Sequence, residues 1–337
     1  MLCKSKLTKI FSYFILTILT ILMIVNQSVT ATTSELIIKQ SNKANPQVGK
    51  FLYSYQPGID ENDEFIRSYL ANSQIFEKNI SIIKQINFNL PEDLEIRWMS
   101  CRNHSESSVQ NSPANAFYNS RERNITLCYE LFKVIAVLKI NDGLTQEQAI
   151  DSTLKAYLFI MYHELGHALI DFLDIPITGK EEDAVDDFAA YMLLTRNESD
   201  QDAMIDVIQS AAITFYLLGK SQQFPAGSEH LLYWDEHSLG EQRFANLFCI
   251  ILGSNPDKYA TPLVADPNNS EDTRNPLKIP INRAQRCVNQ EYPQKIESWT
   301  KLIIPHLIEE QRPWNGTGGG SNPAPANETP GGIRWGD

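Results

Sequence analysis

His163 and His167 stand four residues apart, with Glu164 directly after the first, in the run His163-Glu164-Leu165-Gly166-His167. On a helix this H-E-x-x-H spacing stacks two imidazoles one turn apart on one face, so two nitrogens can bind a single tetrahedral zinc ion. Glu164 falls about 100° round the helix, beside the metal rather than on it. There it can take a proton from water whose pKa the zinc lowers to about 7. Ala156, Phe159, Ile160 and Ile170 share the histidines' side of the helix and predict an apolar surround. The plain alternative is a solvated helix that happens to carry two histidines and a glutamate.

A catalytic zinc needs a third protein ligand and an open position. Ile175-Pro176 ends the helix and Gly179 allows a sharp return, after which Glu181-Glu182-Asp183-Ala184-Val185-Asp186-Asp187 opens a second helix. Acids in a first turn are favoured by the helix dipole, so a merely solvated acidic start is the competing explanation. The helical wheel separates them. Glu182, Asp186, Ala189 and Leu193 share one face beside Val185, Phe188 and Met192, whereas Asp183 and Asp187 point away and Glu181 has Val185, no acid, one turn on. Glu182 is the best third ligand. Asp186, one turn later, is placed to accept the free N–H of a ligating histidine and orient its ring.

These helices follow a strand-forming stretch. Glu64 to Ile86 reads as helix, Leu94 to Met99 alternates as a strand, and residues 102–114 read as a Ser/Asn-rich loop. Ala116-Phe117-Tyr118 and Ile125 to Tyr129 read as a second pair of strands, and helical periodicity runs from Glu130 to about Leu252. A Pro/Asn/Asp-rich excursion at 254–282 and a last helix near 291–309 complete the expected α+β domain, 61–311, after an irregular lead-in at 32–60. Residues 312–337, with Gly318-Gly319-Gly320 and several prolines, read as a disordered tail.

Lys4, Lys6 and Lys9 precede an apolar run from Ile10 to Val25, and Val29 and Ala31 hold the small-residue positions before a cleavage point. Residues 1–31 are therefore a signal peptide or, since spanning helices need about 20 apolar residues, an uncleaved membrane anchor. Either way the rest lies outside the cytoplasm. No other segment reads as long and apolar enough to span a bilayer. The formal charge is −12, and residues 1–31 carry three lysines and no acids, so the remainder carries −15, which argues against a nucleic-acid partner. Beyond Cys3 the cysteines number four, and local pairing joins Cys101 to Cys128 across a hairpin and Cys249 to Cys287 across a C-terminal loop. Four buried free thiols are the alternative.

An H-E-x-x-H helix followed by E-x-x-x-D on the next resembles the gluzincin branch of zinc metallopeptidases, the group containing thermolysin. More closely, the chain after the leader resembles a family of secreted zinc metallopeptidases. The matching pieces are Asn115-Ala116-Phe117-Tyr118, Leu127-Cys128-Tyr129-Glu130-Leu131, both helices above, Asp235-Glu236-His237-Ser238-Leu239, and Gln242-Arg243, spread over roughly 90–310. The resemblance implies that Asn115 and Ala116 bind substrate backbone by strand addition. It implies that His237, oriented by Asp235, donates to the oxyanion, and that Arg243 steadies the carbonyl or braces a ligand. An ordinary hairpin strand and a structural cap with its ion pair are the plain alternatives. In one respect the chain departs from thermolysin-like enzymes: only 14 residues separate His167 from Glu182.

The expectation is thus a zincin-like α+β domain with a small sheet over the zinc helix and a mostly helical C-terminal half. It would hold one zinc per chain and hydrolyse peptide or protein substrates. The rival readings are a catalytically silent zinc-binding protein of the cell envelope and a zinc hydrolase acting on other amides or esters.

Overall fold

The computed structural model describes residues 48–102, 114–196, 200–221 and 235–308, all within one unit of the chain, Val48–Asp337. The leader, most of the lead-in, the bulk of the 102–114 loop, His104, His230 and the tail at 312–337 lie outside the described residues.

The first elements are β1 (Phe51–Tyr55), α1 (Glu61–Ser73), α2 (Ile75–Ile86), β2 (Leu94–Met99), β3 (Ala116–Asn119) and β4 (Asn124–Cys128). They build a mixed sheet of order β1-β2-β4-β3, parallel except for β3 against β4. Residues 51–55 were expected to be irregular and instead form an edge strand. Five residues carry too little pattern to mark it, and its pairing, Phe51 opposite Leu94, is set by packing 43 residues downstream. In β2 the side chains of Leu94, Ile96 and Trp98 point into the core and alternate with half-buried Glu95, Arg97 and Met99. The single helix expected over 64–86 is two helices. Asp60 caps α1 by accepting from the Asp63 N–H, and Gln74, with φ of 53°, breaks the chain between α1 and α2.

The helical half contains α3 (Tyr129–Asn141), α4 (Gln146–Leu173), α5 (Glu181–Leu194), α6 (Gln201–Ser221), α7 (Gly240–Ser254), α8 (Pro256–Leu263), α9 (Ile281–Arg286) and α10 (Tyr292–Ile303). A Thr145–Gln148 capping box starts α4, which packs against β3 and β4 and is flanked by α3, α5 and α6. Its middle turns are buried on all sides, as expected of a helix at the centre of a core. α6 is, against expectation, long and apolar enough to cross a membrane, but it buries Ile205, Ile208, Ala211, Ala212 and Phe215 and packs on α4 and α7. The excursion at 254–282 is not wholly irregular either: Asn255 caps α8, with Pro256 at its start.

The sulfurs of Cys101 and Cys128, and of Cys249 and Cys287, are paired, with Cα atoms 5.5 and 5.0 Å apart. Cys101 lies just past β2 and Cys128 ends β4, so the first pair ties two parallel neighbours rather than flanking a hairpin.

Candidate metal centre

Gly166 lies where α5 crosses α4: a Cβ there would come within 2.8 Å of Val185 Cγ1. Its absence lets the first turn of α5 sit against the two histidines. His163 Nε2 lies 3.1 Å from Glu182 Oε2, and His167 Nε2 lies 3.4 Å from Glu182 Oε1. The opposite nitrogens also meet carboxylates. His163 Nδ1 bonds Asp186 Oδ1 at 2.8 Å, and His167 Nδ1 bonds Glu181 Oε1 at 2.7 Å. Glu181, passed over on the helical wheel because its own helix offers it no acidic partner, finds its partner across the helix interface.

Behind Asp186 stands Arg243 of α7. Its Nε donates to Asp186 Oδ2 and its Nη2 to Oδ1, both at 2.7 Å, while its guanidinium carbon lies 3.5 Å from the centre of the Phe215 ring. Arg243 thus braces the residue that orients His163 and makes no direct bond to Glu182. The segment Asp235–Leu239 brings in a third imidazole. His237 Nε2 is 3.0 Å from Glu182 Oε2, its Nδ1 is 3.4 Å from Asp235 Oδ1, and its backbone N–H donates to that same oxygen at 2.9 Å. Lys180 Nζ donates to the carbonyls of Asp235 and His237, and Ser238 Oγ donates to Asp183. Neither Lys180 nor Ser238 carried a sequence signal for this role.

A cleft of about 300 Å³ opens beside the centre and is lined by Asn115, Ala116, His163, Glu164, His237 and Arg243. Glu164 is only 6% exposed and lines the cleft; it makes no hydrogen bond or ion pair among the described residues, and its charge acts on His167 and Arg243. Ala116 pairs with Leu127 through one edge of β3, and β3 is the last strand of the sheet, leaving its other edge without a strand partner among the described residues. The Asn115 carbonyl is held by the Cys128 N–H at 3.1 Å. At the far wall, Gly240 approaches α6 so closely that a Cβ would meet the Phe215 carbonyl at 2.2 Å. His306, in contrast, lies in a 3-10 turn where its carbonyl accepts from Asn89, and it has no part in the cleft.

The profile of a family described as "Putative metallopeptidase" matches residues 55–303, a span that includes every residue of this centre. The chain belongs to that metallopeptidase family. No curated protein and no solved structure matches it. The family's description places the chain among the hydrolases, where a peptidase would act on peptide or protein substrates, and implies a metal ion.

In this metallopeptidase the donor set fits such an ion. Each Nδ1 faces a carboxylate, which directs the N–H there and turns each Nε2 lone pair toward Glu182. Three lone pairs facing a carboxylate repel it unless protons or a cation lie between them. Burial pushes His163 down, but its bonds to Asp186 and Glu182 outweigh that and raise it; His167, similarly, is lifted to about 9. Burial would raise Glu182 and Asp186, yet the imidazoles hold Glu182, and Arg243 with His163 holds Asp186, below the usual carboxylate range. One donor atom each from His163, Glu182 and His237 lies within 4.8 Å of the others. Among the described residues, the groupings Cys101–Cys128–Glu130 and Cys249–Cys287–Glu291 have their sulfurs in disulfides and offer no thiolate.

Proposed function

We propose that this chain is an exported, zinc-dependent peptidase of gluzincin type, with a zincin-like fold in which His163, His167 and Glu182 hold one zinc. The observation that carries the reading is the convergence of imidazole Nε2 atoms on Glu182 at 3.0–3.4 Å, beside the buried Glu164, in a cleft edged by β3. Zinc–nitrogen bonds of about 2.0–2.1 Å put neighbouring ligands of a tetrahedral site about 3.3 Å apart, close to the 3.1 and 3.4 Å that separate the His163 and His167 Nε2 atoms from Glu182. A zinc ion held by His163, His167 and Glu182 would supply Lewis acidity, which acidifies water and polarises a carbonyl.

The remaining work falls to the protein. Asp186 and Glu181 keep the Nε2 atoms of His163 and His167 turned inward, and Arg243 keeps Asp186 in place. An extended substrate would pair with the outer edge of β3 at Asn115 and Ala116, which lays its backbone along the cleft. Glu164 would accept the proton of the attacking water and return it to the leaving amine. His237, oriented by Asp235, would donate from Nε2 to the oxygen on which negative charge develops. Export, by cleavage after residue 31 or with residues 10–25 retained as an anchor, fits two cystines, which persist in oxidising compartments.

The test combines metal analysis of the purified chain with digestion of a peptide library. About one zinc per chain and peptide cleavage abolished by His163→Ala are expected. A zinc-loaded chain that cleaves amides or esters but no peptide would overturn the peptidase assignment. A zinc-loaded chain inert on all of them would make it a silent binding protein.

A further inference from the structure

His237 is tied into the centre in the same way as the two histidines of α4. Its Nδ1 faces a carboxylate, Asp235, and its Nε2 faces Glu182. The Glu182 oxygen it approaches, at 3.0 Å, is the one His163 Nε2 approaches at 3.1 Å. The His163 and His237 rings lie nearly parallel, 14° apart, with centroids separated by 6.4 Å. A residue serving only as an oxyanion donor would aim Nε2 into the cleft beside Glu164; here it is aimed at the ligand oxygen. We propose that His237 is a fourth protein ligand of the metal, so that His163, His167, Glu182 and His237 close the resting centre. It opens when the imidazole of His237 swings out with its segment.

This rests on the metal-site reading above and adds latency to it. A zinc site with four protein ligands has no position for water, the arrangement found in structural rather than catalytic sites. His237 is also the one imidazole of the three able to leave. Its side chain is 48% exposed, against 5% for His163. It sits on the non-helical Asp235–Leu239 stretch, fastened by Lys180 to its carbonyls and by Ser238 to Asp183. His163 and His167 are held in the middle of a long core helix. One ring thereby has two uses: ligand at rest, and oxyanion donor once substrate has displaced it into the cleft it already lines.

The experiment uses the full chain, loaded with Zn²⁺ or Co²⁺, in wild-type, His237→Ala and His163→Ala forms. Zn²⁺ affinity is measured by chelator competition, and cobalt coordination by visible absorption. His237→Ala is expected to keep one zinc but to bind it at least tenfold more weakly, roughly the lower end of the loss seen when even the partners of ligands are removed. Its cobalt bands should change to those of an open site, and added imidazole should restore the wild-type spectrum, a rescue that a merely orienting residue would not show. Wild-type affinity with an unchanged, imidazole-insensitive spectrum overturns the inference and leaves the three-ligand reading standing. Wild type without zinc, and indifferent to His163→Ala, overturns both. X-ray absorption of the zinc-loaded wild type needs no variant: three imidazoles support the closed centre and two refute it.

Discussion

Replacing Arg243 with Leu removes the fork beneath Asp186 while leaving an apolar side chain to cover Phe215. Asp186 is 4% exposed and takes two charge-assisted bonds from Arg243 at 2.7 Å. Hydrogen bonds to charged groups contribute about 1.5–3 kcal/mol each, and breaking a buried pair costs about 3–5 kcal/mol. His163 Nδ1 still reaches Asp186 Oδ1 in the variant, so the lower part of that range applies, about 3–4 kcal/mol at pH 7. Arg243→Lys should fall between, because an ammonium cannot bridge both oxygens. Urea unfolding of the metal-free protein, with chelator present and disulfides intact, measures the loss without the contribution of bound zinc. The pH dependence is fixed in sign. Burial alone would raise Asp186, but Arg243 and His163 depress it, so its contribution is present above the unfolded value near 3.9 and disappears as the pH falls below it. The gap between wild type and Arg243→Leu should therefore narrow below about pH 4. A variant within about 0.5 kcal/mol of wild type at pH 7, or no coupling in a cycle with Asp186→Asn, would refute the bracing role.

Glu164→Gln should retain zinc and melting temperature while turnover falls roughly 10²–10⁴-fold; hydrolysis at the wild-type rate would remove Glu164 as the base. His167, lifted to about 9, must lose its proton to bind a metal. Calorimetric zinc titrations in buffers of different ionisation enthalpy should show affinity rising between pH 7 and 9 with proton release, and a flat profile would count against His167 as a ligand. With zinc removed the sign reverses. The His167 contribution to stability is complete below its ordinary 6.5 and lost as the pH rises through 9, to be followed by thermal melts across that window. Unreduced peptide mapping should show Cys101 joined to Cys128 and Cys249 to Cys287. Loop separations of 27 and 38 residues predict about 3–4 kcal/mol of stabilisation from each. Four free thiols in chain made in an oxidising compartment would refute the pairing.

What could be read from the residues in order was whatever short-range geometry decides. A four-residue spacing puts His163 and His167 one turn apart on any helix, and Pro176 with Gly179 must end that helix and return the chain. Glu182 and Asp186 then face one way because α5, too, has 3.6 residues per turn. The α+β layout was legible for the same reason, from the alternation in β2 and the long apolar periodicity of α3 to α7. Other features depend on contacts that no local pattern encodes. β1 is a strand only because β2 is there to pair with it. Glu181 has no acidic partner on its own helix, and its partner, His167, comes from the helix beneath. Arg243 reaches Asp186 across 57 residues, and His237 reaches Glu182 from the Asp235–Leu239 segment. Spacing along a helix is set by the backbone, so the sequence by itself determined which side chains share a face. Which faces meet is decided by how the cores pack, down to the missing Cβ of Gly166, and only the tertiary structure brings three imidazoles to one carboxylate.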